Sequence, residues 1–306
     1  MLFTRDRRVQ VEITTVELPE DYTLVDTGDW HLGPLTCHFD GVCSVIERVA
    51  ADPKAYVVLK GDLADAIAPG DKRYAHTSMD FSRLLLTPQD QSDKLIEIIR
   101  PIKDRVLTSV IGNHEYTHIN AFNSTKHICD ALGIHYGAAA SKVRVMVNGK
   151  LAHKLYVTHG RGMLPSGAKD PIQREANVKA ALKRKLEATG HSDCIYMSCG
   201  HFHRLIRVKP TINKETMLTD DGTELHQMKR YHGDQTDSYI PPEARFYGCS
   251  GSFLRLYSPP GSGAISYGEM AMYGPCELGW LEATIEGRRM VRLDKVLAGE
   301  ENGIKK

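Results

Sequence analysis

Short apolar runs recur along the first 200 positions, and segments of helical spacing fill the gaps between them. YTLVDTGDWH has the pattern of a strand that breaks at Gly28. GVCSVIERVAAD, residues 41–52, then places Val42, Val45, Ile46 and Val49 on one helical face. AYVVLKGD repeats the strand pattern, and in TPQDQSDKLIEIIRPI the Thr87-Pro88 pair predicts a capped helix start. DRVLTSVIG is a third strand pattern. SKVRVMVNGKLAHKLYVTHG predicts a β-hairpin around its Asn-Gly turn, with the second arm running into His159. An amphipathic helix over about Pro171 to Ala188 leads to the strand DCIYMSCGHFH. From about Lys209 to Ala244 the chain is polar and turn-rich, and from Arg245 onward RFYGCSGSFLRLY, ELGWLEATIE and MVRLDKV return to β-like patterning. The alternation predicts an α/β fold. The tail AGEENGIKK, residues 298–306, is expected to fray.

A chain of 306 residues can bury a sizeable core, and a single domain over 1–306 is expected. Its 39 lysines and arginines against 38 aspartates and glutamates exert no global pull on nucleic acid or membrane, so any basic surface must be local. The opening MLFTRDRRVQVEITTVELPE lacks the apolar core of a signal peptide, and no run approaches the ~20 apolar residues of a membrane span. The seven cysteines are odd in number, scattered and never spaced Cys-x-x-Cys. Reduced thiols packed in the core of a cytoplasmic protein are expected, without a membrane partner.

The ends of the strand patterns carry the chemistry: DTGDWHLG, LKGDLAD, VIGNHEY, YVTHG and SCGHFHR. Each apolar run stops at a small residue and offers a metal-binding side chain within a few positions. In open α/β sheets the carboxyl ends of strands are where ligand sites collect. Five such ends would pool Asp29, His31, Asp62, Asn113, His159, His201 and His203, with Asp65 and His114 nearby. Imidazoles with carboxylates suit manganese, iron, zinc, cobalt or nickel, and the donors are too many for one tetrahedral ion. Two ions are therefore expected, with Asp62 the candidate shared carboxylate. Ions held ~3.5–4 Å apart allow a bridging hydroxide to attack phosphorus. Any one of these short motifs alone is weak evidence; all five at strand ends are not.

The order Asp-x-His, Gly-Asp-x-x-Asp, Gly-Asn-His-Glu, His-Gly, Gly-His-x-His resembles that of the calcineurin-like metallophosphoesterases, with a fainter likeness to compact phage and prokaryotic members from about Tyr22 to Val296. The resemblance implies an α/β/β/α sandwich of two mixed sheets flanked by helices. It implies Asp29, His31 and His203 on one ion, Asn113, His159 and His201 on the other, and Asp62 between them. Manganese is the expected metal. His114 is then the catalytic imidazole beside the metals, donating to the departing alkoxide or binding the transition-state phosphorane, either role typically worth ~10²- to 10⁴-fold, and Asp65 is its orienting carboxylate. Arg161 and Arg204, each within two residues of a proposed ligand, are candidates for a clamp on substrate phosphate or for surface ion pairs. Glu115 is expected to hold a loop or meet solvent. The remaining histidines, His76, His153 and His232 among them, have no matching context and are expected to be structural or solvent-facing.

The protein phosphatase branch extends the second motif to Gly-Asp-x-x-Asp-Arg-Gly, whereas Asp65 is followed here by Ala66 and Ile67. That departure favours phosphodiesters derived from nucleotides or nucleic acid over phosphomonoesters and phosphoproteins. A nuclease-like DNA-processing enzyme and a non-catalytic scaffold are the alternatives, and a homodimer or a host cytoplasm for a phage-encoded chain stays open. The polar segments 63–87 and 209–244, each following a metal motif, are the expected specificity elements, with Tyr74, Phe81, Arg230 and Tyr231 able to stack on a base or meet phosphate.

Overall fold

The computed structural model describes residues 11–67, 79–211, 214–220, 222–231 and 239–299. Two mixed sheets face each other, with helices on their outer faces. One sheet has the order β13-β12-β2-β3-β4, from β2 (Tyr22–Thr27), β3 (Ala55–Leu59), β4 (Val106–Ser109), β12 (Gly279–Glu286) and β13 (Arg289–Leu297). The other runs β1-β5-β6-β7-β11-β8, from β1 (Val11–Glu17), β5 (Ala140–Val147), β6 (Lys150–Thr158), β7 (Tyr196–Cys199), β8 (Leu205–Val208) and β11 (Phe246–Ser250). In each sheet the strands that feed the strand-end motifs lie next to one another: β2, β3 and β4 are parallel, and so are β6, β7 and β11. Their carboxyl ends therefore open on the same side.

Side-chain alternation along the strands separates the layers. Leu24 and Val58 pack between the sheets with Val143, Val157, Tyr196, Phe246 and Leu281. Val25, Val57 and Leu59 point the other way, against α1 (Phe39–Ala51), α2 (Pro88–Ile99) and α4 (Ser124–Leu132), where Val42, Val45, Leu95, Ile99 and Ile128 meet them. On the far face of the second sheet, Tyr156, Met197 and Tyr247 pack under Val178, Leu182 and Leu186 of α5 (Pro171–Glu187). The predicted Thr87 cap is present, with Thr87 and Asp90 exchanging hydrogen bonds and Pro88 in the first turn. The Asn148-Gly149 turn closes the β5–β6 hairpin with both residues at positive φ.

Three segments differ from the sequence reading. VEITTVE is strand β1, parallel to β5 at the sheet edge, a pairing that joins positions far apart in the chain. The polar segment 209–244 contains a two-stranded antiparallel hairpin, β9 (Lys214–Asp220) with β10 (Leu225–Tyr231). RFYGCSGSFLRLY is a strand only to Ser250; beyond it the chain runs to Gly279 with a single helical turn, α6 (Tyr267–Met270). Among the described residues no helix is long and apolar enough to cross a membrane. Cys37, Cys129, Cys194, Cys199 and Cys249 are buried free thiols, while Cys43 and Cys276 are half-buried.

Candidate metal centre

The loops leaving β2, β3, β6 and β7 are stitched together by their backbones. Asp29 N–H donates to the Gly61 carbonyl (2.9 Å), His31 N–H to Asp62 (2.9 Å) and Gly200 N–H to His159 (3.0 Å). Asp29, His31, Asp62, His201 and His203 all have φ between 47° and 70°. Non-glycine residues pay for that left-handed conformation, at ~1–3 kcal/mol each, and it persists where surrounding structure enforces it, often at functional sites. Here these residues fall two to four positions after the ends of β2, β3 and β7, on the loops that carry the candidate ligands. The small residues make the approach possible: a Cβ on Gly112 would lie 2.0 Å from Asp62 Oδ1, and one on Gly200 would lie 2.3 Å from Asp29 Oδ2.

All seven candidate ligands meet. Asp29, His31 and His203 offer one donor atom each within 4.8 Å of one another, as do Asp29, Asp62 and His159, and also His31, Asp62 and His114. His203 Nε2 is 3.4 Å from Asp29 Oδ1 and 3.1 Å from His31 Nε2. Asp62 Oδ2 stands between two halves, 3.9 Å from His31 Nε2 and 3.3 Å from His159 Nε2. Asn113 Oδ1 is 2.9 Å from His159 Nε2 and 2.6 Å from His201 Nδ1. Asn113 itself opens the short helix α3 (Asn113–Thr117).

The outer nitrogens reveal what the inner ones need. His31 Nδ1 donates to Asp65 Oδ1 (3.2 Å), His159 Nδ1 to the Lys60 carbonyl (2.8 Å) and His201 Nε2 to the Gly162 carbonyl (3.1 Å). Each commitment fixes a tautomer and leaves a lone pair on the opposite nitrogen. Those lone pairs face carboxylate and amide oxygens and the nitrogen of His203, an arrangement that repels itself unless cations lie between. The donor set of imidazole nitrogen, carboxylate and amide oxygen fits divalent transition metals. Protons can take the same place: burial would lower the histidines, yet the charge of Asp62 lifts His159 to about 9 and the bond to Asp29 lifts His203 to about 10. Asp29 and Asp62 are held below the usual carboxylate range by these histidines despite complete or near-complete burial.

His114 lies against this cluster, its ring edge-on to His31 with centroids 4.7 Å apart. Its Nδ1 donates to the Asp65 backbone carbonyl (2.7 Å) and is 3.3 Å from Asp65 Oδ1. Asp65 thus serves two histidines, and its carboxyl is held down to about 2 by both, against the effect of burial. Burial works against protonation of His114, but Asp65 and Asp62 raise it to about 9. Glu115, buried, holds a loop: its carboxylate accepts the backbone N–H groups of Asp62, Leu63, Ala64 and Gly112 at 2.8–3.2 Å.

A cavity of about 1700 Å³ opens from the cluster, lined near it by His31, Asp65, His114, His201 and His203. Arg204 lines the cavity; Arg161 is exposed and does not. Of the two expected specificity segments, 63–87 contributes Asp65, Ile67 and Met79, and no described residue of 209–244 reaches the lining. Tyr74, His76 and His232 lie outside the described residues, as do the side chains of Arg230 and Tyr231. The long connection from Ser250 to Gly279 forms much of the wall instead. It brings Arg255 and Cys276, neither foreseen. Nothing in the local pattern of that connection marks it, because it has no periodicity and carries no metal motif.

No family model matches the chain, and no curated protein does. Among solved structures, a conserved uncharacterized protein from Streptococcus pneumoniae described as a predicted phosphoesterase matches at 10% identity and a TM-score of 0.32, over 90% of this chain and 98% of that one. GAP50, the anchor in the inner membrane complex of Plasmodium, matches at 10% identity and a TM-score of 0.36, over 92% and 90%.

Proposed function

We propose that the chain is a dimetal-dependent phosphoesterase of the calcineurin-like kind, acting on phosphodiesters in preference to phosphomonoesters. The observation that carries the reading is the position of Asp62 Oδ2 between two sets of inward-facing imidazoles whose outer nitrogens are already committed. Asp29, His31 and His203 would hold one ion, Asn113, His159 and His201 the other, and Asp62 both. Divalent ions bound there supply Lewis acidity toward a phosphoryl oxygen and acidify water, and manganese is the metal first to be tried.

The chain's own residues do the rest. His114 is oriented through Nδ1 by Asp65, which leaves Nε2 to donate a proton to the leaving oxygen. Asp65 is a positioning residue for His114 and His31 together. Arg204, on the cavity wall, meets a substrate phosphate oxygen. The diester preference rests on Ala66 standing where the phosphatase branch has arginine, and on a cavity larger than the ~300–1,000 Å³ usual for small-molecule pockets. The test is kcat/KM on a diester and a monoester that share one aryl leaving group, with manganese-reconstituted protein. Diester preference supports the proposal; monoester preference, or turnover of phosphopeptide alone, replaces it with a phosphatase.

A further inference from the structure

The cavity continues well past the ligand cluster, between α5, the 202–204 turn, the Ser250–Gly279 connection and the end of β13. Its cations there are Arg174, Lys179, Arg204, Arg255 and Lys295, and its carboxylates are Glu175 and Glu277. Both carboxylates are taken: Lys179 pairs with Glu175 at 2.6 Å and Lys295 with Glu277 at 3.4 Å. The arginines carry the surplus. Arg174 donates to the carbonyls of Ala168 (3.1 Å) and Lys169 (3.4 Å), and Arg255 to the carbonyl of Cys37 (3.1 Å), neutral acceptors that leave the guanidinium charge in place. The buried Nε of Arg255 has no hydrogen-bond partner among the described residues.

Aromatic and apolar surface is interleaved with this charge. Phe202, next to His201, lines the cavity, and Lys185 lies over its ring at 5.8 Å. Tyr273 and Met163, 57% and 84% exposed, line it as well. A basic groove with flat side chains along it suits a chain of repeated phosphates bearing unstacked bases, since each base has a face to stack and each phosphate a charge to meet. A duplex keeps its bases stacked inside, out of reach of Phe202 and Tyr273. A small diester would leave most of the groove empty.

We infer that this groove is a track for single-stranded nucleic acid, leading several nucleotides across the candidate metal centre. Arg174 and Arg255 meet phosphates away from the cleaved one, and Phe202 and Tyr273 stack on bases. The inference rests on the phosphodiesterase reading and specifies its substrate.

Two measurements test it on the manganese-loaded protein. The first is fluorescence anisotropy with cleavage-resistant phosphorothioate oligonucleotides of about 3 to 12 nucleotides, single-stranded and duplex, across a salt series. The track predicts affinity that rises with length and levels off, preference for the single strand, and a salt slope that falls by roughly 0.7 for each phosphate-contacting cation removed in Arg174→Ala and Arg255→Ala. The second is the ratio of kcat/KM on a single-stranded oligonucleotide to kcat/KM on a small aryl diester, expected to fall at least about tenfold in the double variant. Length-independent binding, equal or better binding of the duplex, or an unchanged ratio overturns the track. Failure to cleave the small diester removes the phosphodiesterase reading, while the anisotropy series still decides the track on its own.

Discussion

Replacing Lys60 with methionine removes a charge that no water reaches. Lys60 and Asp26 are both fully buried between the sheets, with Nζ 2.7 Å from Asp26 Oδ1 and donating also to the Cys199 carbonyl at 2.7 Å; the Tyr196 hydroxyl donates to the other Asp26 oxygen. The group thereby ties β2, β3 and β7 together directly beneath the ligand-bearing loops. Taking one partner from a buried pair leaves the other uncompensated, at a cost of ~3–5 kcal/mol, a large share of the ~5–15 kcal/mol that keeps a protein folded. Asp26→Leu should cost a similar amount for the same reason. Removing both charges together leaves only the Tyr196 hydroxyl and the Cys199 carbonyl short of a partner, at ~1–3 kcal/mol each. Lys60→Met/Asp26→Leu is therefore expected to be more stable than the sum of the single variants by ~4 kcal/mol. Urea midpoints at constant slope, measured in EDTA so that metal binding does not contribute, give this coupling. Additive single effects, or single effects below ~1 kcal/mol, would refute the account of an isolated buried ion pair.

Asp62→Asn should lower bound metal more than Asp65→Asn, since Asp62 stands between both halves and Asp65 touches only the outer nitrogens of His31 and His114; equal losses by elemental analysis would contradict that division. His114→Ala should keep its metals and lose most turnover on substrates with poor leaving groups, while activated aryl esters are spared; a loss uniform across leaving-group pKa would remove the acid role. His153, buried beside Tyr22, is pushed down by burial to about 4, so the folded state resists a proton that the unfolded chain accepts below about 6.5. Stability should fall by up to about 3 kcal/mol as pH drops from about 6.5 to about 4, and His153→Gln should flatten that part of the profile in urea unfolding; an unchanged slope would mean another group is responsible. Glu115→Gln turns an amide nitrogen toward backbone donors and should cost ~2–4 kcal/mol, seen as a lower urea midpoint; a midpoint within ~0.5 kcal/mol of wild type would deny Glu115 its role in holding the 62–64 loop.

The strand ends were legible because apolar runs stop abruptly at glycine and the donors follow at once, and the Asn148-Gly149 hairpin was legible because only a few residue pairs accept positive φ in succession. Asp26 and Lys60 were not. Inside YTLVDT and AYVVLK a charged residue reads as a strand end meeting water, and only the apposition of the two sheets makes the charges partners. Glu115 was open between a loop and solvent because its four backbone donors come from residues about fifty positions earlier and from Gly112. The Ser250–Gly279 wall was missed because irregular backbone leaves no period to detect, whereas the polar character of 209–244 drew attention to a hairpin that stays off the cavity lining among the described residues. The left-handed turns at Asp29, His31, Asp62, His201 and His203 go against residue preference, so local rules point away from them; a conflict of that kind is itself a mark of a site.

The most direct test of a two-ion centre is manganese stoichiometry by elemental analysis after reconstitution and desalting, compared across wild type, His203→Ala and His159→Ala and paired with diester turnover. Two equivalents in wild type, about one in each variant, and loss of turnover in both are the predicted result. A single equivalent in wild type, or two equivalents retained in either variant, would contradict a centre built around Asp62.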